Sequence, residues 1–114
     1  MVDRPYGPDV GDLAWLTFDP QADHEQGGRR PALILSPRVY NSKSPLALAY
    51  PITSQSKGYP FELAIPPGQS VAGVVLADYI KNLNWRVRKA AFESKAPAGV
   101  VAEVRERLMP LLGF

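Results

Sequence analysis

The 114-residue sequence contains no cysteine and a single histidine, His24. The first absence removes disulfides, thiolate nucleophiles and zinc–cysteine sites. The second leaves too little imidazole for a zinc site of the usual kind. No apolar run approaches the ~18 residues of a membrane-spanning helix, so no membrane partner is expected. The opening stretch, residues 1–9, carries Asp3, Arg4 and Asp9 and no apolar segment, which argues against a secretory signal. A soluble, cytoplasmic protein is the expectation. Charge of one sign is scarce as well. The net charge is +2 and the pI about 9.0, which permits an anionic partner without demanding one.

Proline and glycine, by contrast, are plentiful: twelve and nine residues, spread along the chain. That distribution reads as short strands joined by frequent turns, not as disorder. Hydrophobic residues make up 46% and charged residues 21%, ordinary globular values. The length suits one domain, residues 1–114, with a core small enough that an oligomer would be no surprise. No internal repeat, linker or low-complexity stretch is visible.

Residues 13–18 (LAWLTF) follow the turn formers Gly7, Pro8, Gly11 and Asp12 and are apolar at nearly every position. They read as a strand buried on most of both faces. Asp19-Pro20 ends it, and residues 21–30 read as a polar, mobile loop. Gly27 and Gly28 accept positive φ at little steric cost. Pro31 fixes its own φ and biases Arg30 toward an extended conformation. Arg30 therefore stands at the mouth of a buried strand, residues 31–35. Residues 38–45 read as irregular or as a helical turn, with Asn41 and Ser42 as turn formers. A third strand covers residues 46–52, with its Pro51 end expected at an edge or outside the sheet. Further strands are expected at 61–65, at 71–77 with Gly73 marking a bulge or bend, and at 79–83. Residues 84–86 read as a turn and 87–93 as a last strand with Arg88 and Lys89 exposed. From Pro97 the period changes. Val101, Val104, Leu108 and Leu111 recur at three- and four-residue steps, as in an amphipathic helix covering the open side of a sheet. Pro110 is expected to disturb its last turn. The fold class is mainly β with a C-terminal helix: a small, strongly bent sheet or open barrel of about six or seven strands.

With no thiol and one imidazole, chemistry falls to the polar groups of loops and strand ends. The carboxylates there are Glu25, Asp78 and Asp19. The cations are Arg29, Arg30, Lys57, Lys81, Arg86 and Arg88, and the hydroxyls Thr53, Ser54 and Ser56. His24 has the free pKa nearest neutrality, but a lone imidazole in a polar loop is more often simply solvated. For Arg30 the local features leave two readings level: an anion-binding guanidinium beside Arg29 and Glu25, or a surface arginine paired with Glu25 and worth little to stability. Thr53 ends the third strand. If the second and third strands are antiparallel neighbours, Arg30 and Thr53 meet at one edge. A guanidinium and a hydroxyl side by side can hold a phosphate by charge-assisted hydrogen bonds. The plainer reading of Thr53 is a hydroxyl that satisfies a turn. The residues by themselves lead to an anion site on a β scaffold.

An ordered set of motifs goes further. It comprises Pro8-Asp9-Val10-Gly11-Asp12-Leu13 with Trp15 and Phe18-Asp19-Pro20; Glu25-Gln26-Gly27-Gly28-Arg29-Arg30-Pro31-Ala32; Leu35-Ser36-Pro37 and Tyr40-Asn41; Pro51-Ile52-Thr53-Ser54-Gln55-Ser56-Lys57-Gly58-Tyr59-Pro60-Phe61-Glu62; and Gly73-Val74-Val75-Leu76-Ala77-Asp78 followed by Trp85-Arg86. In this order and spacing, over nearly the whole length, the chain resembles the MazF-type toxins, the endoribonuclease half of bacterial toxin–antitoxin pairs (the MazF, PemK and Kid family). The resemblance implies a bent sheet or SH3-like barrel with helices, as in the wider MazF, Kid and CcdB group, and a homodimer. It implies metal-independent, cofactor-free, sequence-specific cleavage of single-stranded RNA, mainly messenger RNA. Ends of the 2′,3′-cyclic phosphate and 5′-OH type would follow, with a cognate MazE-like antitoxin as inhibitor. Arg30 matches the family's catalytic arginine, Thr53 its catalytic hydroxyl, and Glu25 a loop carboxylate linked to activity. Expected substrate contacts are Ser54, Gln55, Lys57, Asp78 and Lys81. His24 has no assured counterpart. The general base stays open between Glu25 and Arg30, since a guanidinium is a poor base. Two other readings share the scaffold: a CcdB-like gyrase poison and a catalytically inactive relative that binds RNA or antitoxin. An intact Arg30 and Thr53 speak against both.

Overall fold

Alternation along each strand decides which side chains reach which core. The computed structural model describes residues 6–18 and 28–114. In them the chain forms β1 (Asp12–Phe18), β2 (Gly28–Ile34), α1 (Arg38–Lys43), β3 (Leu46–Thr53), β4 (Glu62–Ala64), β5 (Val74–Leu76), β6 (Lys81–Asn84), β7 (Ala91–Lys95) and α2 (Ala98–Leu108), then a 3₁₀ turn at Met109–Leu112. The seven strands make an antiparallel sheet in the order β4-β5-β3-β2-β1-β7, with β6 on the same edge of β3 as β5. Among the described residues no pairing joins β7 back to β4 or β6. The sheet is therefore open, and of the two expected forms the closed barrel is not the one observed. No helix among the described residues is long and apolar enough to cross a membrane.

The expectation of a first strand buried on both sides is met, because β1 separates two cores. Leu13 packs with Leu33, Tyr50, Ile52, Val75, Val100 and Val104 on one face. Ala14, Leu16 and Phe18 pack with Ala32, Ile34, Ala47, Ala49, Leu83 and Trp85 on the other. The C-terminal helix closes the first core, but with a different phase from the one expected. Val100 and Val104 are its buried residues, Val101 and Leu108 are half-buried, and Leu111 is exposed in the 3₁₀ turn. Pro110 accounts for the loss of Leu111: it ends the α-helical spacing before Leu111 can rejoin the inward stripe.

Pro51 also departs from expectation: it lies inside the sheet, opposite Ala32. The far edge of β3 explains why this is tolerated. Pairing with β6 ends at Ala49 and pairing with β5 begins at Ile52. Leu48 receives Leu35 N–H on the β2 side, so by alternation the missing Pro51 N–H faces the other edge, in the gap between β6 and β5.

The expected strand at 71–77 contracts to Val74–Leu76. The one at 87–93 gives way to a turn over residues 85–89, with β7 following it. Asn84 drives that turn: its Oδ1 accepts the N–H groups of Arg86 (3.1 Å) and Val87 (3.0 Å), and Lys89 turns back with φ 56°. Lys89 is exposed as expected, whereas Arg88 is half-buried. It donates to Thr17 O at 3.0 Å and lies over the Phe18 ring.

Two buried polar groups tie the connections to the sheet. Asn41, read from sequence as a turn former, is fully buried in α1. It donates to Pro8 O and Ser36 O, both at 2.9 Å, while its Oδ1 accepts Ser36 Oγ–H at 2.6 Å. Its backbone carbonyl accepts Trp85 Nε1–H at 3.0 Å. Asp12 is equally buried and meets Lys95 Nζ (2.6 Å), the Tyr6 hydroxyl (2.6 Å) and Asp9 N–H (3.0 Å). Burial, and then the hydrogen bond to Asp12, push the Tyr6 phenol well above its ordinary range.

Candidate active site

The register of β2 against β3 builds the candidate site. The strands pair through Ile34↔Ala49, Leu33↔Tyr50 and Ala32↔Pro51. Opposed residues share a face, and every second residue returns to it. Two residues past the last pair, on the face of Ala32 and Pro51, stand Arg30 and Thr53. Arg30 is held from its other side too, opposite Leu16 of β1. It is thus a strand residue and not the end of a loop. Both Arg30 and Thr53 are half-buried. Gly28 opens β2 at φ +84°, the positive value read from its type. Thr53 does satisfy a turn, its Oγ1 accepting Gln55 N–H at 3.2 Å. A hydroxyl that accepts still carries its own proton to donate.

Arg29 does not join an anion site with Arg30. One residue away, it belongs to the opposite face, opposed to Thr17. Its guanidinium donates to Thr17 Oγ1 (2.9 Å), Arg88 O (3.3 Å) and Lys89 O (2.6 Å), clamping the turn that precedes β7. Glu25, His24 and Asp19 lie outside the described residues.

Lys81 opposes Ala49 and so shares the face of Pro51 and Thr53, with its ammonium 4.5 Å from the centre of the Tyr79 ring. Asp78 is exposed just after β5. Burial first, and then the charge of Asp78, raise the Tyr50 phenol to about 12, and its hydroxyl donates to Ala77 O at 3.0 Å.

Residues 54–60 are exposed and carry the expected contacts Ser54, Gln55 and Lys57. An open pocket lies under them, lined by Pro51, Thr53, Gln55, Lys57, Tyr59, Glu62, Leu76 and Tyr79. It brings Thr53, Gln55 and Lys57 together. Ser54, Asp78 and Lys81 are not in its lining, although Tyr79 joins Lys81 to it through the ring contact. Glu62 and Tyr79 had no role in the sequence reading, and Tyr59 only one shared with its loop. Glu62 and Tyr59 stood within the quoted motif, but only the fold shows that they face Thr53. Glu62 accepts from Lys57 N–H (2.5 Å), Ser56 Oγ–H (2.7 Å) and Gly58 N–H (3.1 Å). The Lys57 N–H above all, and then the Ser56 hydroxyl, hold its carboxyl below the ordinary glutamate range.

Gly73 passes close to Thr53. A Cβ at Gly73 would stand 2.5 Å from Thr53 O, and its φ is +137°. Glycine is needed there on both counts. Among the described residues no group of three or more His, Asp or Glu side chains gathers as a metal site would require. What the arrangement offers is a guanidinium and a hydroxyl on one strand-end face. A lysine stands nearby, and the pocket beside them carries two phenol rings.

Comparison with known proteins gives concordant results. Residues 9–112 match the family described as PemK-like, MazF-like toxin of type II toxin–antitoxin system. The endoribonuclease toxin MazF of Escherichia coli K12 is 44% identical over 113 residues, 99% of this chain and all of that protein. The endoribonuclease PemK of Escherichia coli is 29% identical over 98% of this chain and 87% of its own length. Among solved structures, a MazE–MazF complex from Deinococcus radiodurans superposes with a TM-score of 0.89 at 56% identity, covering 96% of this chain and 99% of that one.

Proposed function

Because the chain belongs to the PemK-like, MazF-like toxin family, we propose that it cuts single-stranded messenger RNA at a short sequence word, without a metal, as the toxin of a type II toxin–antitoxin pair. It is an endoribonuclease toxin by kinship, and its cognate inhibitor is a MazE-like antitoxin, as for its structural relative. It acts in the cytoplasm, where its substrate is, and as a homodimer.

One observation carries the reading: Arg30, near the start of β2, and Thr53, at the end of β3, share a face of adjacent antiparallel strands. In the proposed reaction the ribose 2′-oxygen attacks the adjacent phosphorus and the bond to the 5′-oxygen breaks. The 2′-hydroxyl proton goes to a protein base, and the leaving 5′-oxygen takes a proton from an acid. Charge builds on the non-bridging oxygens. The Arg30 guanidinium, with its forked donors, and the Thr53 hydroxyl are suited to stabilise it. Glu25 and Arg30 are the two candidates for the base. Bases splayed from the strand stack on rings such as Tyr59 and Tyr79 and meet Ser54, Gln55, Lys57, Asp78 and Lys81. An acidic, partly disordered antitoxin segment inhibits by lying across the same surface.

The test is cleavage of a long transcript in the presence of EDTA, with the ends mapped. The expected products carry 2′,3′-cyclic phosphate and 5′-OH termini at one recurring word. Arg30→Ala is expected to abolish cutting while the protein stays folded. Undiminished cutting by that variant removes Arg30 from the mechanism.

A further inference from the structure

Residues 54–60 have no strand or helix to shape them, yet they carry the groups that would meet RNA. Loops of this kind lose affinity by the ordering they require on binding. Here one side chain supplies order beforehand. Glu62 sits on β4, opposite Leu76 of β5, so its own backbone is fixed by the sheet. Its N–H also donates to Tyr59 O at 3.1 Å, closing the loop's base. From that anchor the carboxylate gathers three consecutive residues of the loop: Ser56 Oγ–H, Lys57 N–H and Gly58 N–H. Gly58 adopts φ +74°, which lets its N–H turn inward beside that of Lys57. Bonds to an ionised carboxylate are the strong members of their class.

We propose that Glu62 is a positioning residue for RNA recognition, its carboxylate holding residues 54–59 in the shape that presents Gln55 and Lys57 to single-stranded RNA beside Thr53. The proposal rests on the RNA-cleaving reading above and assigns Glu62 no part in the bond-breaking step. It follows that Glu62 governs binding and choice of word, while Arg30 and Thr53 govern the rate of the step itself.

Glu62→Ala and Glu62→Gln are compared with the wild-type chain in three measurements. The first is kcat and KM on a short single-stranded RNA carrying the mapped word. The second is the distribution of cuts along a long transcript. The third is the rate of tryptic cleavage after Lys57. For Glu62→Ala, KM is expected to rise about tenfold with kcat little changed, the word preference to relax, and the peptide bond after Lys57 to be cut about tenfold faster. Glu62→Gln keeps one acceptor oxygen and is expected to fall between the two. Unchanged KM, word preference and tryptic rate in Glu62→Ala overturn the proposal. So does a collapse of kcat with the word preference intact. A wild-type chain that cuts no RNA sinks the endoribonuclease reading instead. The tryptic measurement still decides the clamp in that case, and an unaltered rate there overturns it.

Discussion

Single atoms decide most of what happens around Thr53. Gly73 is the clearest case, because the obstacle to a side chain there is a backbone oxygen that cannot swing aside. Gly73→Ala is expected to cost about 1–3 kcal/mol of stability, seen as a lower denaturant midpoint. It should also lower kcat by about tenfold or more, because displacing Thr53 O drags the hydroxyl with it. An alanine variant with wild-type kcat would show that Thr53 tolerates the shift. Acid sensitivity is a second residue-scale effect. Glu93 Oε1 accepts Trp15 Nε1–H at 2.9 Å, linking β7 to β1, and that bond above all lowers its carboxyl from the ordinary 4.5. A lowered folded-state pKa contributes stability above the unfolded value, and loses it as pH falls through the folded one. The melting temperature of Glu93→Ala should therefore lie below that of the wild type at about pH 7, and the two should converge as the pH falls below the ordinary carboxylate range. A gap that persists in acid would mean that packing, not charge, makes the link.

At the scale of elements, what could be read from the sequence was whatever depends on period and on pairing parity. That Arg30 and Thr53 share a face needed only that β2 and β3 be antiparallel neighbours, and they are. The number of strands followed from punctuation by proline and glycine, and their order in the sheet did not. What escaped depended on partners distant in sequence. Arg29 and Arg30 look alike in a chain, and only their opposite faces separate a clamp on the turn at residues 85–89 from a candidate catalytic group. Pro51 looked like an edge residue because the gap between β6 and β5 cannot be read locally. Asn41 has the composition of a turn, but its four bonds make it the joint between α1, the segment before β1 and Trp85. Asn41→Ala removes the side chain from three of them and leaves two buried carbonyls without donors. Unfolding in urea should register a loss of about 3 kcal/mol, with an unchanged slope. A loss no larger than that of a surface substitution would mean water replaces the amide.

The whole molecule leaves apolar surface unspent. Met109 (49% exposed), Leu111 (47%), Leu112 (60%) and Phe114 (84%) cluster at the C-terminal end. A second copy is the occupant proposed for such a surface, in keeping with the homodimer of the functional reading. The solution mass is expected to be twice the 12.5 kDa of one chain, and Leu112→Asp to shift it toward one. A wild-type chain that runs at the single mass down to low concentration refutes the dimer. The order of the sheet has a further consequence, for biosynthesis. β1 is made early, yet one of its two edges is covered only by β7, and Asp12 meets its lysine only at Lys95. Chains leave the ribosome from the N-terminus at roughly 5–20 residues per second. β1, β2 and β3 can therefore pair while β1 still has an open edge and a buried carboxylate without its countercharge. The sheet becomes complete only once residues 91–95 have emerged. The fold of this endoribonuclease toxin is thereby kept unfinished until its last strand has been made.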